Sequence, residues 1–150
     1  MARHLPPSGA HLRLLDVGGA CAATLRRLRP DVDALAVTGA DWPAEPGSAD
    51  AVTALDVALD ADLLRRALLV LRPGGRFISV DSRGTTRPEL VVTLENAGFT
   101  RILVEPALDS GGVLARGEKP HTEQRTVDRI AQTAARDDQA AGLDTYSGRF

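Results

Sequence analysis

Six short apolar runs, each closed by a turn residue, alternate with segments patterned as helices along most of this chain. The runs are Leu12–Val17, Asp33–Thr38, Ala51–Leu55, Arg76–Val80, Thr100–Val104 and Gly112–Arg116. Between them, residues 21–29, 60–71 and 87–97 read as helices. In the second, Leu63, Leu64, Ala67, Leu68 and Leu71 form one apolar stripe, Asp60 stands at the N-cap and Pro73-Gly74-Gly75 is the stop. Pro88 near the first turn and Gly98 just past the end bracket the third. Strands alternating with helices require right-handed crossovers, so the pattern predicts an α/β fold with a mainly parallel sheet of about six strands.

The pattern occupies residues 11–118. Residues 1–10, with Pro6, Pro7, Ser8 and Gly9, read as a flexible leader without the apolar core of a secretory signal. Residues 119–150 read as a C-terminal helix and tail: Val127, Ile130, Ala131, Ala134 and Ala135 make a narrow stripe, and Tyr146 and Phe150 lie at the end. So weak a helix needs a surface to order it. At 150 residues the pattern fits one core.

A net charge of -2 offers no broad basic face, so nucleic acid is not an expected partner. No run approaches the roughly 20 apolar residues of a membrane helix, and a cytoplasmic location is expected. One cysteine and three histidines, His4, His11 and His121, provide no metal-ligand cluster. Cys21 falls at a helix start, where the dipole lowers a thiol pKa, although a cysteine between alanines is more often a small buried residue.

In doubly wound sheets ligands bind beyond the carboxyl ends of the strands, and a glycine turn after the first strand admits them to the backbone. Here that turn is Leu15-Asp16-Val17-Gly18-Gly19-Ala20-Cys21-Ala22. The dinucleotide spacing GxGxxG fails, because the later glycines would fall at Ala20 and Ala23.

The turn resembles the opening of class I S-adenosylmethionine-dependent methyltransferases, whose first strand runs apolar-Asp-x-Gly-x-Gly-x-Gly. Three further segments are similar to that family in order and spacing. They are Gly39-Ala40-Asp41-Trp42-Pro43 with Pro46-Gly47-Ser48-Ala49-Asp50-Ala51-Val52, then Leu71-Arg72-Pro73-Gly74-Gly75-Arg76-Phe77, then Ala97-Gly98-Phe99. The resemblance spans residues 12–117 and implies a Rossmann-like methyltransferase fold binding S-adenosylmethionine. It assigns cofactor contacts to Asp16, Gly18, Gly19, Ala20, Asp41 and Trp42. Asp16 would accept hydrogen bonds from the turn's amides or, through water, from an ammonium group. Asp41 would face the adenine amino group, with Trp42 packed near the ring.

Three departures qualify that picture. Alanine stands at positions 20 and 22 where the family has glycine, and their methyl groups are expected to narrow the cofactor's approach. Only Asp31–Thr38 intervenes between the first helix and Asp41, too little for the family's strand, helix and third strand. Either the second strand and its helix are deleted, as the Gly-Ala-Asp-Trp-Pro context suggests, or the strand stands second, Asp41 becomes the ribose ligand and the third strand is missing. No Asn/Asp-Pro-Pro-aromatic motif follows Leu55; Asp56 and Asp81, at strand ends, are the acids placed where an acceptor would sit, and helix capping or a place in a loop is their competing role.

Two functions follow as expectations. One is a degenerate, non-catalytic relative acting as an auxiliary or interaction subunit, a homo-oligomer or the partner of an active methyltransferase or other enzyme. The alternative is an active S-adenosylmethionine-dependent methyltransferase on a small metabolite.

Overall fold

In the computed structural model, β1 (Leu12–Val17) is the axis of the sheet, pairing in parallel with β2 (Val32–Val37) on one side and β3 (Ala49–Leu55) on the other. β4 (Leu71–Asp81) continues the parallel set beside β3. β6 (Val113–Glu118) then runs antiparallel between β4 and β5 (Thr100–Pro106), giving six strands in the order β2-β1-β3-β4-β6-β5. The expected α/β sheet is present. Its antiparallel end follows from the short connection between β5 and β6, which permits a hairpin but not a crossover.

The structure describes residues 1–7, 11–39, 41–42, 45–107 and 111–121. The chain divides into two compact units, Met1–Lys119 and Pro120–Phe150, and every element named here belongs to the first. The helix and aromatic end expected beyond His121 lie outside the described residues.

Local chemistry accounts for the helices. α1 (Ala22–Leu28) is short and stops before Pro30. α2 (Ala61–Val70) begins where the Asp60 carboxylate accepts the Leu63 amide at 2.8 Å. α3 (Arg87–Ala97) opens with a reciprocal capping box between Thr86 and Glu89, and closes on Gly98 at φ 103°. The Pro73-Gly74-Gly75 turn ends α2 as expected, yet it is an irregularity inside β4 rather than a loop before it. The register jumps from Ala49↔Leu71 to Ala51↔Arg76. A methyl group on Gly75 would meet Arg72 O at 2.8 Å and Asp50 O at 3.1 Å, so the close approach there requires glycine.

Each sheet face carries its own core. One holds Leu15, Val17, Val37, Phe77, Leu90 and Leu94 beneath α2 and α3; the other holds Leu12, Leu14, Leu25, Ile78, Val80 and Leu114 beneath α1 and the N-terminal residues. Those N-terminal residues correct the leader reading for positions 1–5. Ala2–His4 form a 3-10 turn, and His4 and Leu5 are buried at 5% and 3% exposure. Arg76 donates to the carbonyl of His4 at 2.9 Å, and Arg3 pairs with Glu105 at 2.5 Å. The physical reason is coverage: a seven-residue α1 cannot roof the second face, and Leu5 completes it.

The position of β2 resolves which strand is lost. A doubly wound sheet is ordered 3-2-1-4-5-6, so the strand beside the first is the second, and the third lies outside it. β2 pairs directly with β1 and is outermost among the described residues. Of the two alternatives the sequence leaves open, the strand order fits the one in which the second strand is retained and the third has no counterpart among the described residues. Between β2 and β3 the described residues contact α2: Arg66 donates to Gly39 O at 3.0 Å and Gly47 N donates to Leu69 O at 3.1 Å.

Candidate functional site

The strand order reverses between β1 and β3, so the crevice beyond their carboxyl ends is where a ligand would sit. Its floor is the turn after β1. Gly18 and Gly19 hold φ angles of 86° and 76°, left-handed values that favour glycine. A methyl group on Gly18 would lie 3.7 Å from Val57 Cγ2, which places the residue after Asp56 directly over the turn.

Asp16 is fully buried beneath this turn. Its Oδ2 accepts the amides of Cys21 and Ala22, each at 2.7 Å, and its Oδ1 accepts the Thr53 hydroxyl at 3.0 Å. Both oxygens are thus committed to the protein. The carboxylate ties the start of α1 to β3 and consumes two amides that could otherwise face a ligand.

The two alanines behave differently. Ala22 is 6% exposed in the core beneath α1, so its methyl group points into the protein and does not narrow the crevice as expected. Ala20 is exposed, and its φ is not among the positive ones, so the turn accepts alanine there without strain. Cys21 is 9% exposed, and burial, reinforced by the Asp16 carboxylate, pushes its thiol up to about 11. The dipole argument for a lowered pKa is overruled by desolvation.

Asp41 is exposed in the segment following β2, its amide donating to Thr38 O at 3.3 Å. Trp42 is 9% exposed and sits in the α2-side core with Val37 and Leu64. Its Nε1 donates to Gly39 O at 3.1 Å, closing the turn it follows. The indole fills sheet-face volume that a crossover helix would otherwise cover.

Asp56 and Asp81 act as loop anchors. Asp56, at φ 52°, accepts the Ser82 amide on Oδ1 and the Ser82 hydroxyl on Oδ2, both at 2.7 Å. Asp81 accepts the Arg83 amide at 2.7 Å and the Thr85 hydroxyl. The Ser82 amide and hydroxyl hold the Asp56 carboxyl below the usual range, and the Thr85 hydroxyl with the Arg83 contacts does the same for Asp81. A general base works best with a pKa near the operating pH, and both acids are shifted the other way. The partners Thr53, Val57 and Ser82 were not singled out in the sequence. A buried threonine opposite Asp16 was the available signal, because a polar side chain inside the run Ala51–Leu55 needs a partner.

No group of metal-ligating side chains occurs among the described residues, and no helix there is long and apolar enough to cross a membrane. Of the residues expected at S-adenosylmethionine, Gly18, Gly19, Ala20 and Asp41 are exposed, Asp16 accepts the turn's amides as the resemblance implies, and Trp42 is buried in the core.

No protein-family description and no curated protein matches the chain. Solved structures do. A chain from the complex between the Haloferax volcanii Trm112 methyltransferase activator and a protein assigned as a methyltransferase superposes with TM-score 0.66 at 16% identity, covering 80% of this chain and 87% of that one. Phosphoethanolamine N-methyltransferase 2 of Haemonchus contortus, in complex with S-adenosyl-L-methionine, gives 0.57 at 15% identity over 79% of this chain and 51% of its own. The cyclase SpnF gives 0.54 at 17% identity, covering 75% of this chain and 76% of that one. The chain thus spans most of the first and about half of the second. The fold is that of class I methyltransferases, and at these identities the likeness is one of fold.

Proposed function

We propose that this chain is a methyltransferase-fold protein that works by contact, as an auxiliary or interaction subunit, rather than by methyl transfer. Trp42 carries the reading: the aromatic ring that the family resemblance sets against adenine is buried in the core on the α2 side of the sheet, with its N–H spent on Gly39. The depressed acids Asp56 and Asp81 support it. The fold itself assigns no chemistry, since neighbours named as a methyltransferase and as a cyclase share it. One neighbour comes from a complex of a methyltransferase with an activator protein, an example of this fold working with a protein partner.

A second reading has its own observation. With β2 in the second position, exposed Asp41 follows the strand whose end carries the family's ribose-gripping acid, and the Gly18-Gly19 turn keeps its left-handed form. These features favour a compact S-adenosylmethionine-dependent methyltransferase on a small metabolite.

Calorimetric titration with S-adenosylmethionine and S-adenosylhomocysteine separates the two. The contact reading expects no heat at millimolar ligand and no shift in melting temperature. Micromolar binding with a matching thermal shift overturns it in favour of the enzyme.

A further inference from the structure

β2 has a strand on one side only among the described residues. Asp31 O accepts the Leu12 amide at 2.8 Å and Val37 O accepts the Gly18 amide at 2.9 Å, so the odd-numbered residues turn their main chain towards β1. Val32, Ala34 and Ala36 therefore direct their N–H and C=O groups outwards. Natural edges are blunted by lysine, proline or a bulge, and this strand has none of these. Its guard is Arg26, which donates to Ala34 O from the exposed side of α1. Leu35 is 51% exposed on the face shared with Leu15 and Val37, where no helix follows β2 before β3 among the described residues.

We infer that β2 pairs antiparallel with β2 of a second copy of this chain, about a two-fold axis through Leu35, making one continuous sheet. A two-fold axis normal to the sheet keeps each face on its own side, so only residues of the same face can lie opposite one another. Near the strand's centre two registers satisfy this. Ala34 opposite Ala34 sets each Asp33 against the exposed Leu35 of the other copy. Leu35 opposite Leu35 joins the two leucines at a non-hydrogen-bonded position, with about 4.5 Å between Cα atoms, and sets Asp33 against Val37.

Charge selects the second register. Asp33 is exposed, and its carboxylate has no ion-pair or hydrogen-bond partner among the described residues. On the same face Arg66 reaches the end of β2, its guanidinium 3.0 Å from Gly39 O. Opposite Val37, each Asp33 carboxylate approaches the Arg66 of the other copy, twice around the axis. Arg26 swings aside or shares the carbonyl of Ala34, which has a second lone pair. The inference deepens the contact reading above by naming its surface.

Sedimentation of the full chain at micromolar concentration tests it. A dimer is expected, and Leu35→Lys, at a position already half exposed, dissociates it while far-UV circular dichroism stays unchanged. Asp33→Arg and Arg66→Glu each weaken the dimer by about tenfold, and the double charge swap restores it. Under mild oxidation Leu35→Cys forms a covalent dimer and Asp33→Cys does not. A monomer throughout, or a dimer indifferent to Leu35→Lys with no cross-link at 35, overturns the inference. A chain that dimerises through Leu35 and also binds S-adenosylmethionine would overturn the contact reading and leave this one standing.

Discussion

Asp16 and Thr53 are register partners across the parallel pair β1–β3, and the Thr53 hydroxyl donates to Asp16 Oδ1 at 3.0 Å with both residues fully buried. With two amides at the start of α1 on Oδ2, the carboxylate joins a strand, a turn and a helix. Asp16→Ala leaves three buried donors unpaired and is expected to cost about 3 kcal/mol or more. Asp16→Asn, which keeps one acceptor, costs less. Thr53→Val removes the hydroxyl at similar shape and costs about 1–2 kcal/mol; combined with Asp16→Ala it adds less than the sum. Urea unfolding of the four proteins measures each value.

His4 predicts how stability follows pH. Burial lowers its pKa below 6.5, outweighing the opposite pull of Glu105, and Arg116 and Arg3 add to the lowering. The neutral ring suits its surroundings: Nε2 lies 2.8 Å from Glu105 Oε1, and Nδ1 lies 3.4 Å from the Arg116 guanidinium. Around it, Arg76 binds the His4 carbonyl while pairing with Glu118. Since the unfolded chain takes up the proton first, stability contributed here is complete above pH 6.5 and falls as pH drops from 6.5 towards the folded pKa. His4→Gln should flatten that part of the stability profile, and the protection factors of the amides at residues 2–5, after allowance for the slower intrinsic exchange in acid, should fall on acidification only in the parent chain.

Cys21 should be nearly inert while the protein is folded. A thiol pushed up to about 11 has, near neutral pH, a thiolate fraction some 100-fold or more below that of an ordinary cysteine. Alkylation rates with iodoacetamide, folded against urea-unfolded, should differ by at least about that factor. Near-equal rates would place Cys21 outside the core.

How far these features could be read from sequence depends on whether the signal was local. The strand β1, the Asp60 cap, Pro88 in the first turn of α3 and the Gly98 stop follow from spacing within a few residues, and each lies where the pattern put it. The place of β2 in the sheet is a long-range fact. The Gly-Ala-Asp-Trp-Pro context argued for one position, whereas pairing with β1 fixed another, because strand order depends on what remains to cover the sheet. The docking of His4 and Leu5 was hidden for the same reason: a short α1 creates the vacancy that they fill. Asp56 and Asp81 were legible as acids at strand ends, but Ser82 and Thr85, which decide their chemistry, lie on the loop after β4. The inward turn of Ala22 needed the helix phase, which glycine spacing alone does not supply.

Trp42, the chain's single tryptophan, links the fold to the functional question. Packed with Val37 and Leu64 at 9% exposure, it should emit at short wavelength in the folded protein and shift red on unfolding. Trp42→Ala opens a cavity where no helix can close over it, and should cost about 3–5 kcal/mol; Trp42→Phe loses the bond to Gly39 and costs less. Because the ring is committed to the core, S-adenosylmethionine, S-adenosylhomocysteine and adenosine should leave its emission unchanged. A saturable change at low ligand concentration, absent in Trp42→Phe, would mean that the indole faces the crevice after all. The contact reading would then lose the observation that carries it, since the same side chain cannot roof the sheet and stack on a purine.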